Sequence, residues 1–455
     1  MTNRAGFALA VLFAINLMNF YDRLIIGAVG EAIAVDWGLK DAQLGYLGTA
    51  FILVYAAVGV PLGRWADVGN RSRILTLGVT VWSVLTALSG FAQQFWHMVL
   101  LRLSVGVGEA SCAPAANSLI GDLYPAAARA RAMSLFMLGL PLGNAAALVF
   151  SGLVAQRYGW RSAFLVALVP GLLCAVGAWM IREPKRGATE THNIGARKRE
   201  GSPYKLVLSI PTMRWIIASG ALHNFNMYAI GGFLTPLVIR VHGMDQAQAG
   251  YLTMAVYGLA GVPGMILGGW LGDAVIRRRR NGRMLVAAMA IALSVPTMYF
   301  GLNAEAGRWM LFGILFGFGC MMMYVYYGTV YSTIQDVIEP SLRATAMALY
   351  FAAMYVLGGA LGPVVIGNTS DYFTRSLAAA ESVDYDTLDA AGQLPYRAYG
   401  LNQALYLLPL VSLFLAGTLF AGARTVNADV DKLQQWMRKV SDEENAKLKH
   451  AEATT

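Results

Sequence analysis

The sequence predicts an all-α polytopic membrane protein of twelve transmembrane helices, built as two six-helix repeats. Three observations predict this: an apolar composition, twelve hydrophobic runs of spanning length, and short motifs that recur in the same order in the two halves. Of 455 residues, 57% are hydrophobic and only 13% charged, with 49 glycines and a mean hydropathy of +0.51. Water-soluble domains average well below that apolar fraction and carry about twice the charge. A bilayer core takes ~20 apolar residues per helix, and on that measure the spans fall at about 7–33, 43–66, 73–91, 95–121, 131–155, 161–181, 214–239, 248–273, 284–302, 309–334, 343–370 and 400–422. The domain division that follows is an N-terminal bundle over 1–181, a basic linker over 182–213, a C-terminal bundle over 214–422 and a tail over 423–455.

Span 1 is too long, and too soon interrupted by Asp22 and Arg23, for a cleavable signal peptide. All connections but two are short. The linker 182–213 is rich in Lys, Arg, Gly and Pro, and the segment 371–399, expected as a loop, carries Glu381, Asp384, Asp386 and Asp389. Most of the 35 Lys and Arg fall on the side of the two termini, so by the positive-inside rule both termini and the linker are expected to be cytoplasmic and the acidic segment external. The net charge of +9 is thereby a topological signal, and it gives no support to nucleic-acid binding. A plasma (cytoplasmic) membrane location is expected. In the tail, Val430, Leu433, Trp436, Met437 and Val440 recur at helical spacing among charged residues, which fits an amphipathic helix on the membrane surface or against the cytoplasmic loops, with a plain solvated tail as the alternative.

The repeat is legible at three places. Residues 42–47 read AQLGYL and 247–252 read AQAGYL, each opening the second span of its half. Gly63 and Asp67 recur as Gly269 and Asp273 at the end of the same spans. Pro125, Arg129, Ala132 and Met133 are echoed by Pro340, Arg343, Ala346 and Met347 before the fifth span of each half. Two halves of equal orientation imply a pseudo-two-fold axis along the membrane normal and a path between them.

Charges inside spans are costly, roughly 2.5–3.5 kcal/mol each near the midplane, and so mark function. Arg102 and Glu109 in span 4 are two helical turns apart and share a face. In span 1, Asn16, Asn19 and Arg23 share a face, while Asp22 is turned about 100° away. Asp22 and Arg23 therefore each need a partner on another helix, and the expected pairing is Asp22 with Arg102, with Glu109 competing for it. Burial and a neighbouring arginine act oppositely on a carboxylate, which makes Asp22 and Glu109 candidate proton carriers. In the second half His223, Asn224, Asn226 and Tyr228 of span 7, with Tyr324, Tyr326, Tyr327 and Tyr331 of span 10, are candidate cavity residues beside Met321 to Met323. The substrate-binding set is Asn16, Asn19, Arg23, His223, Asn224, Tyr228, Tyr324 and Tyr327. Such a cavity would be apolar, with an arginine to hold an anionic group.

Enzymatic and ATP-driven activities find no motif. There is no G-x-x-x-x-G-K-[ST] phosphate loop, no H-E-x-x-H among the five histidines, and no metal-ligand spacing among Cys112, Cys174 and Cys320, which read as reduced core residues. Neither metal nor cofactor is expected.

The stretch GRWADVGNRSR at 63–73, with Gly63, Asp67, Gly69, Arg71 and Arg73, resembles the signature loop of the major facilitator superfamily, with Val68 where that pattern usually has a base. Arg102, Gly106, Gly108 and Ala110 resemble its span 4 motif. NFYDR (Asn19 to Arg23) together with RLSVGVGEAS (Arg102 to Ser111) resembles the spinster group of lipid transporters. The resemblance implies secondary transport of a lysophospholipid or sphingoid phosphate, coupled to protons, with the proton gradient as the energy source. Related carriers of sugar acids and other organic anions share parts of these motifs, so a small anion is the alternative substrate. Residues 63–73 are expected to latch the cytoplasmic side, with Asp67 accepting hydrogen bonds from the facing half. A monomer is expected.

Overall fold

The computed structural model describes residues 3–124, 126–184, 202–339 and 342–452; within them the side chains of 3, 60, 63, 64, 66–68, 126–131, 343, 344 and 439–452 lie outside the described set. Among the described residues every regular element is a helix. Helices α1 (Asn3–Trp37), α2 (Asp41–Val68) and α3 (Arg71–Ser89) are spans 1 to 3. Span 4 joins α4 (Phe95–Glu109) to α5 (Cys112–Leu123), span 5 joins α6 (Ala126–Met137) to α7 (Gly139–Tyr158), and span 6 joins α8 (Trp160–Val166) to α9 (Leu168–Met180). Short α10 (Pro203–Ser209) meets α11 (Pro211–His242), span 7, at a bend of 92°. Span 8 is α12 (Gln246–Thr253), a π turn (Met254–Leu259) and α13 (Gly261–Ile276), followed by α14 (Gly282–Leu302) and α15 (Trp309–Val337) as spans 9 and 10. Span 11 is α16 (Arg343–Ala353), a second π turn (Met354–Gly359) and α17 (Leu361–Ala380), and span 12 is α18 (Ala390–Leu405) with α19 (Leu407–Glu452). Eleven of these spans are long and apolar enough alone, and α11 taken with α10 makes the twelfth.

Six of the breaks inside spans have one cause. Pro114, Pro141, Pro170, Pro263, Pro363 and Pro409 each lie three residues after an interruption. A proline has no N–H to give and its ring clashes with the carbonyl four residues back, so the helix before it ends there. Both π turns stop four residues before their proline. Span 4, expected as one continuous helix, accordingly breaks at Ala110 and Ser111, just after Glu109.

The repeat has a structural meaning at each position. Gln43 and Gln248 accept the backbone N–H of Lys40 (2.9 Å) and Asp245 (3.3 Å), closing the first turn of spans 2 and 8. Two residues on, Gly45 and Gly250 touch backbone of the other half: a methyl group at Gly45 would meet the Pro363 carbonyl, and one at Gly250 the Leu148 carbonyl. Gly38 and Gly243 end spans 1 and 7 in the left-handed conformation, φ 63° and 66°. At the face of the termini, Arg71 opens span 3 bonded to Asp122 of span 4, and Arg283 opens span 9 bonded to Asp336 of span 10 (2.6 Å) and Asp273 of span 8 (2.8 Å). Eighteen residues separate Gly45 from Gly63 but nineteen separate Gly250 from Gly269. A π turn takes up one extra residue, and the one at 254–259 absorbs that difference.

Two connections differ from expectation. The segment 371–399 is mostly helical, because α17 runs on to Ala380 and α18 begins at Ala390, capped by Asp389. The tail helix is no separate element but the continuation of α19, whose Leu433 and Trp436 line a cleft with Leu206 of α10 and Leu342. Its Asp429 accepts the backbone N–H (2.9 Å) and the hydroxyl (2.6 Å) of Thr212 at the start of span 7.

Close glycine contact between the halves makes one face sensitive to side-chain volume. Gly250→Val should wedge that face apart at a cost of ~1–3 kcal/mol, whereas Gly59→Val, where an added carbon meets nothing within 4 Å, should not. The check is modification of a reporter, Leu44→Cys, by a membrane-impermeant thiol reagent. Labelling should rise about tenfold in the first variant and stay level in the second, against three native cysteines that are buried.

Candidate substrate and proton site

Between the halves lies a cavity of about 130 Å³. The first half gives it Arg23 of span 1, Phe51 of span 2, Arg102 of span 4 and Asn144 of span 5. The second half gives Asn224 and Tyr228 of span 7, Tyr257 of span 8, Tyr324, Tyr327 and Tyr331 of span 10 and Tyr355 of span 11. Two guanidinium groups and many phenols thus face the space, and among the described residues no carboxylate lines it.

The carboxylates stand behind the arginines. Glu109 is fully buried, and its Oε2 accepts from Arg23 Nε at 2.9 Å and from Asn19 Nδ2 at 3.0 Å. Asn19 and Arg23 lie one turn apart on the same face of span 1, so that face meets the end of α4. Asp22 is turned toward span 3, near Trp82 and Thr86, and neither of its carboxylate oxygens has a hydrogen-bond partner among the described residues. Arg102 donates to the Asp22 backbone carbonyl (3.3 Å), and among the described residues its Nε is unpartnered, as is one terminal nitrogen of Arg23. The expected pairing of Asp22 with Arg102 is therefore no direct ion pair among the described residues: Arg102 meets the Asp22 backbone carbonyl and not its carboxylate. The 100° offset between residues 22 and 23 sends Arg23, not Asp22, to span 4, and leaves Arg102 between the Asp22 carbonyl and the cavity.

Aromatic faces complete the arginine environment. The Arg23 guanidinium carbon lies 4.2 Å from the Tyr55 ring centre, 5.0 Å from Phe20 and 5.2 Å from Phe51, and that of Arg102 lies 5.3 Å from Phe51. Such contacts stabilise a desolvated cation by roughly 2 kcal/mol each at best, well short of a hydration shell, so an ion pair or an anionic ligand is still required.

Of the sequence-derived binding residues, Arg23, Asn224, Tyr228, Tyr324 and Tyr327 line the cavity, while Asn16, Asn19 and His223 do not. Asn16 donates to the Phe136 carbonyl (2.7 Å) beside the Pro141 break, and Asn224 donates to the Met354 carbonyl (2.9 Å) at the π turn. His223 is sealed in the second half, stacked on Tyr326 at 4.1 Å and bonded to the Met323 carbonyl at 3.0 Å. In the segment 63–73, the side chain of Asp67, like residue 63, lies outside the described set. Gly69 closes α2, and Arg73 is exposed with its N–H on the Asn70 cap (2.9 Å). Arg71 is fully buried and bonds Asp122, Ser118 (2.8 Å) and Glu183 (2.6 Å), so it binds spans 3, 4 and 6 of one half together.

A second charge cluster escapes the sequence reading. At the face opposite the termini, Arg240 of span 7 pairs with Glu31 of span 1 (2.6 Å) and, through two nitrogens, with Asp41 at the start of span 2 (2.7 and 2.8 Å). Asp371 of span 11 accepts the N–H groups of Asp41 and Ala42, both at 3.0 Å, so one half caps a helix of the other. The available signal is the first repeat itself, where Asp41 precedes AQLGYL and an uncharged Gln246 precedes AQAGYL.

These features define a multi-pass membrane transporter. The model of the Major Facilitator Superfamily matches residues 11–363, and the chain belongs to that superfamily. Within it, the chain is 28% identical to an MFS-type efflux pump of Mycolicibacterium smegmatis over 83% of this chain and 87% of the relative. It is also 28% identical to protein spinster homolog 1 of Homo sapiens over 82% of this chain and 74% of that protein. A bacterial homolog to the human lysosomal transporter Spinster, solved in an inward-facing and unoccupied conformation, superposes with a TM-score of 0.85 at 25% identity, covering 94% of this chain and 99% of that one.

Removing one partner from a buried charge cluster costs ~3–5 kcal/mol, because the remaining charges stay desolvated. Arg240→Ala should therefore open the face sealed by Glu31 and Asp41 and raise Leu44→Cys labelling more than a hundredfold, while Arg240→Lys, which keeps the charge but not the fork, should fall between.

Proposed function

We propose that the protein is a proton-coupled secondary transporter that moves an anionic amphiphile, a lysophospholipid or sphingoid phosphate in class, by alternating access. One observation carries the reading: two arginines line a cavity that no described carboxylate lines, and the acids that could neutralise them, Asp22 and Glu109, stand behind. When Glu109 takes up a proton, Arg23 loses its ion pair and becomes available to an anionic head group. When the anion leaves, Arg23 returns to Glu109 and the proton is released. Asp22, whose carboxylate oxygens have no hydrogen-bond partner among the described residues, sets the charge on the Arg102 side in the same way. Proton and anion are then taken up together, as linkage requires. A proton crossing 100 mV supplies roughly 2.3 kcal/mol, enough to bias two conformations more than tenfold. With the termini cytoplasmic, the face closed by Arg240, Glu31 and Asp41 is the external one.

A small organic anion is the second reading, favoured by the cavity volume of about 130 Å³, below the ~300 Å³ at which drug-sized pockets begin. On the lipid reading only the head group occupies this space and the chain lies between helices.

Thermal-shift binding of lysolipids, sphingoid phosphates and organic acids at two pH values separates them. Lysolipid or sphingoid phosphate should raise Tm more at the lower pH, and organic acids alone doing so would select the second reading. In proteoliposomes Glu109→Gln and Asp22→Asn should each reduce substrate-driven proton movement at least tenfold. Undiminished proton movement in both variants would overturn proton coupling through these residues.

A further inference from the structure

The charges that line or back the cavity belong to the first half, yet alternating access requires the second half to respond to them. One route crosses the cavity. The Arg23 guanidinium rests on Tyr55 of span 2 at 4.2 Å, and Tyr55 meets Tyr355 of span 11 edge-on, with ring centres 5.3 Å apart. Phe51, stacked on Tyr55 at 5.8 Å, touches both arginines. Tyr355 is the second residue of the span 11 π turn, and both ends of that turn are held by polar contacts. Asn224 donates to the Met354 carbonyl at its start, and Thr49, one and a half turns before Tyr55 on span 2, donates to the Ala360 carbonyl (2.6 Å) at its end. A π turn holds one residue more than an α-helical turn and such turns are frequent at functional sites, and this one stands at the place where the halves touch.

We infer that Tyr55 and Tyr355 are positioning residues for coupling: their ring contact transmits the state of the Arg23–Glu109 pair to the π turn of span 11. The inference rests on the proton-coupled reading above. With Glu109 ionised, Arg23 is shared between that carboxylate and the Tyr55 face. With Glu109 protonated, Arg23 either presses on the aromatic face or turns to an anion, and Tyr55 passes the difference to Tyr355. The charged or titratable groups that face Glu109 are Arg23 and Asp22 of span 1 and Arg102 and Cys112 of span 4. Those that face Arg23, besides Glu109, are Arg102 and Cys112 of span 4 and Tyr55, Tyr228 and Tyr355. Span 3 places Trp82 and Thr86 beside Asp22.

The test follows Leu44→Cys labelling in full-length protein in lipid nanodiscs between pH 5 and pH 8. The background protein should change its labelling rate about tenfold across this range, and Glu109→Gln should remove the change. Tyr355→Leu and Tyr55→Leu should reduce it below about twofold, Tyr355→Phe should keep it because the ring remains, and Phe351→Leu, on the far side of Tyr355 (6.3 Å), should also keep it. A full tenfold response in Tyr355→Leu overturns the bridge while leaving proton coupling intact. Loss in Phe351→Leu as well overturns it in favour of general loosening. No pH response in the background protein overturns the proton reading, and the bridge with it.

Discussion

Two guanidinium groups and two carboxylates are held at the heart of a helical bundle that offers them little water. Each charge alone is unfavourable there, and the arrangement is stable because Glu109 is bonded by Arg23 and Asn19 while Arg102 rests on a carbonyl and an aromatic face. Much of the surrounding structure follows from this need. Two aromatic residues of span 2 cover the arginines, and Asn19 and Arg23 of span 1 are aimed at span 4 instead of at lipid. Among the described residues the unsatisfied remainder, at Asp22, at one oxygen of Glu109 and at one nitrogen of each arginine, is where the cluster stays responsive.

The halves hold each other by unlike means at different depths. Near the middle and toward the face opposite the termini, contact is backbone to backbone across glycines 27, 45, 231 and 250, which gives dense packing without polar commitment. At the face itself contact is ionic, with Arg240 between Glu31 and Asp41, and Asp371 on the first N–H groups of span 2. Helix 2 carries no side-chain cap of its own at Lys40. Separating the halves there uncovers charges and helix-end donors together, so water must enter as the face opens.

The architecture was legible because hydrophobic length and repeated motifs are properties of the chain itself. Span positions, the duplication, and the burial of Arg23, Arg102 and Glu109 could be read directly. The partner of each charge could not, because it depends on how span 1 is rotated against spans 3 and 4, and a 100° ambiguity exchanged Asp22 for Arg23. His223 shows the converse limit: a polar residue in an apolar run signals a function or a partner, and here a carbonyl and a tyrosine ring supply the partner. Tyr55, Tyr257 and Tyr355 went unnoticed since an aromatic in a span is ordinary until two halves are brought together. The Arg240 cluster went unnoticed since each of its members sits near a span end, where a charge alone needs no explanation.

The extra residue in the second copy of the repeat sets a limit on how this chain can diverge. Downstream of the π turn of span 8, Gly264 and Gly268 lie against the backbone of Met321 and Val325 in span 10. Losing one residue upstream would turn that stretch by about 100° and present bulkier neighbours to span 10 in their place. The extra residue and the glycine face of α13 therefore depend on each other, and the two halves, though copies, are not interchangeable parts.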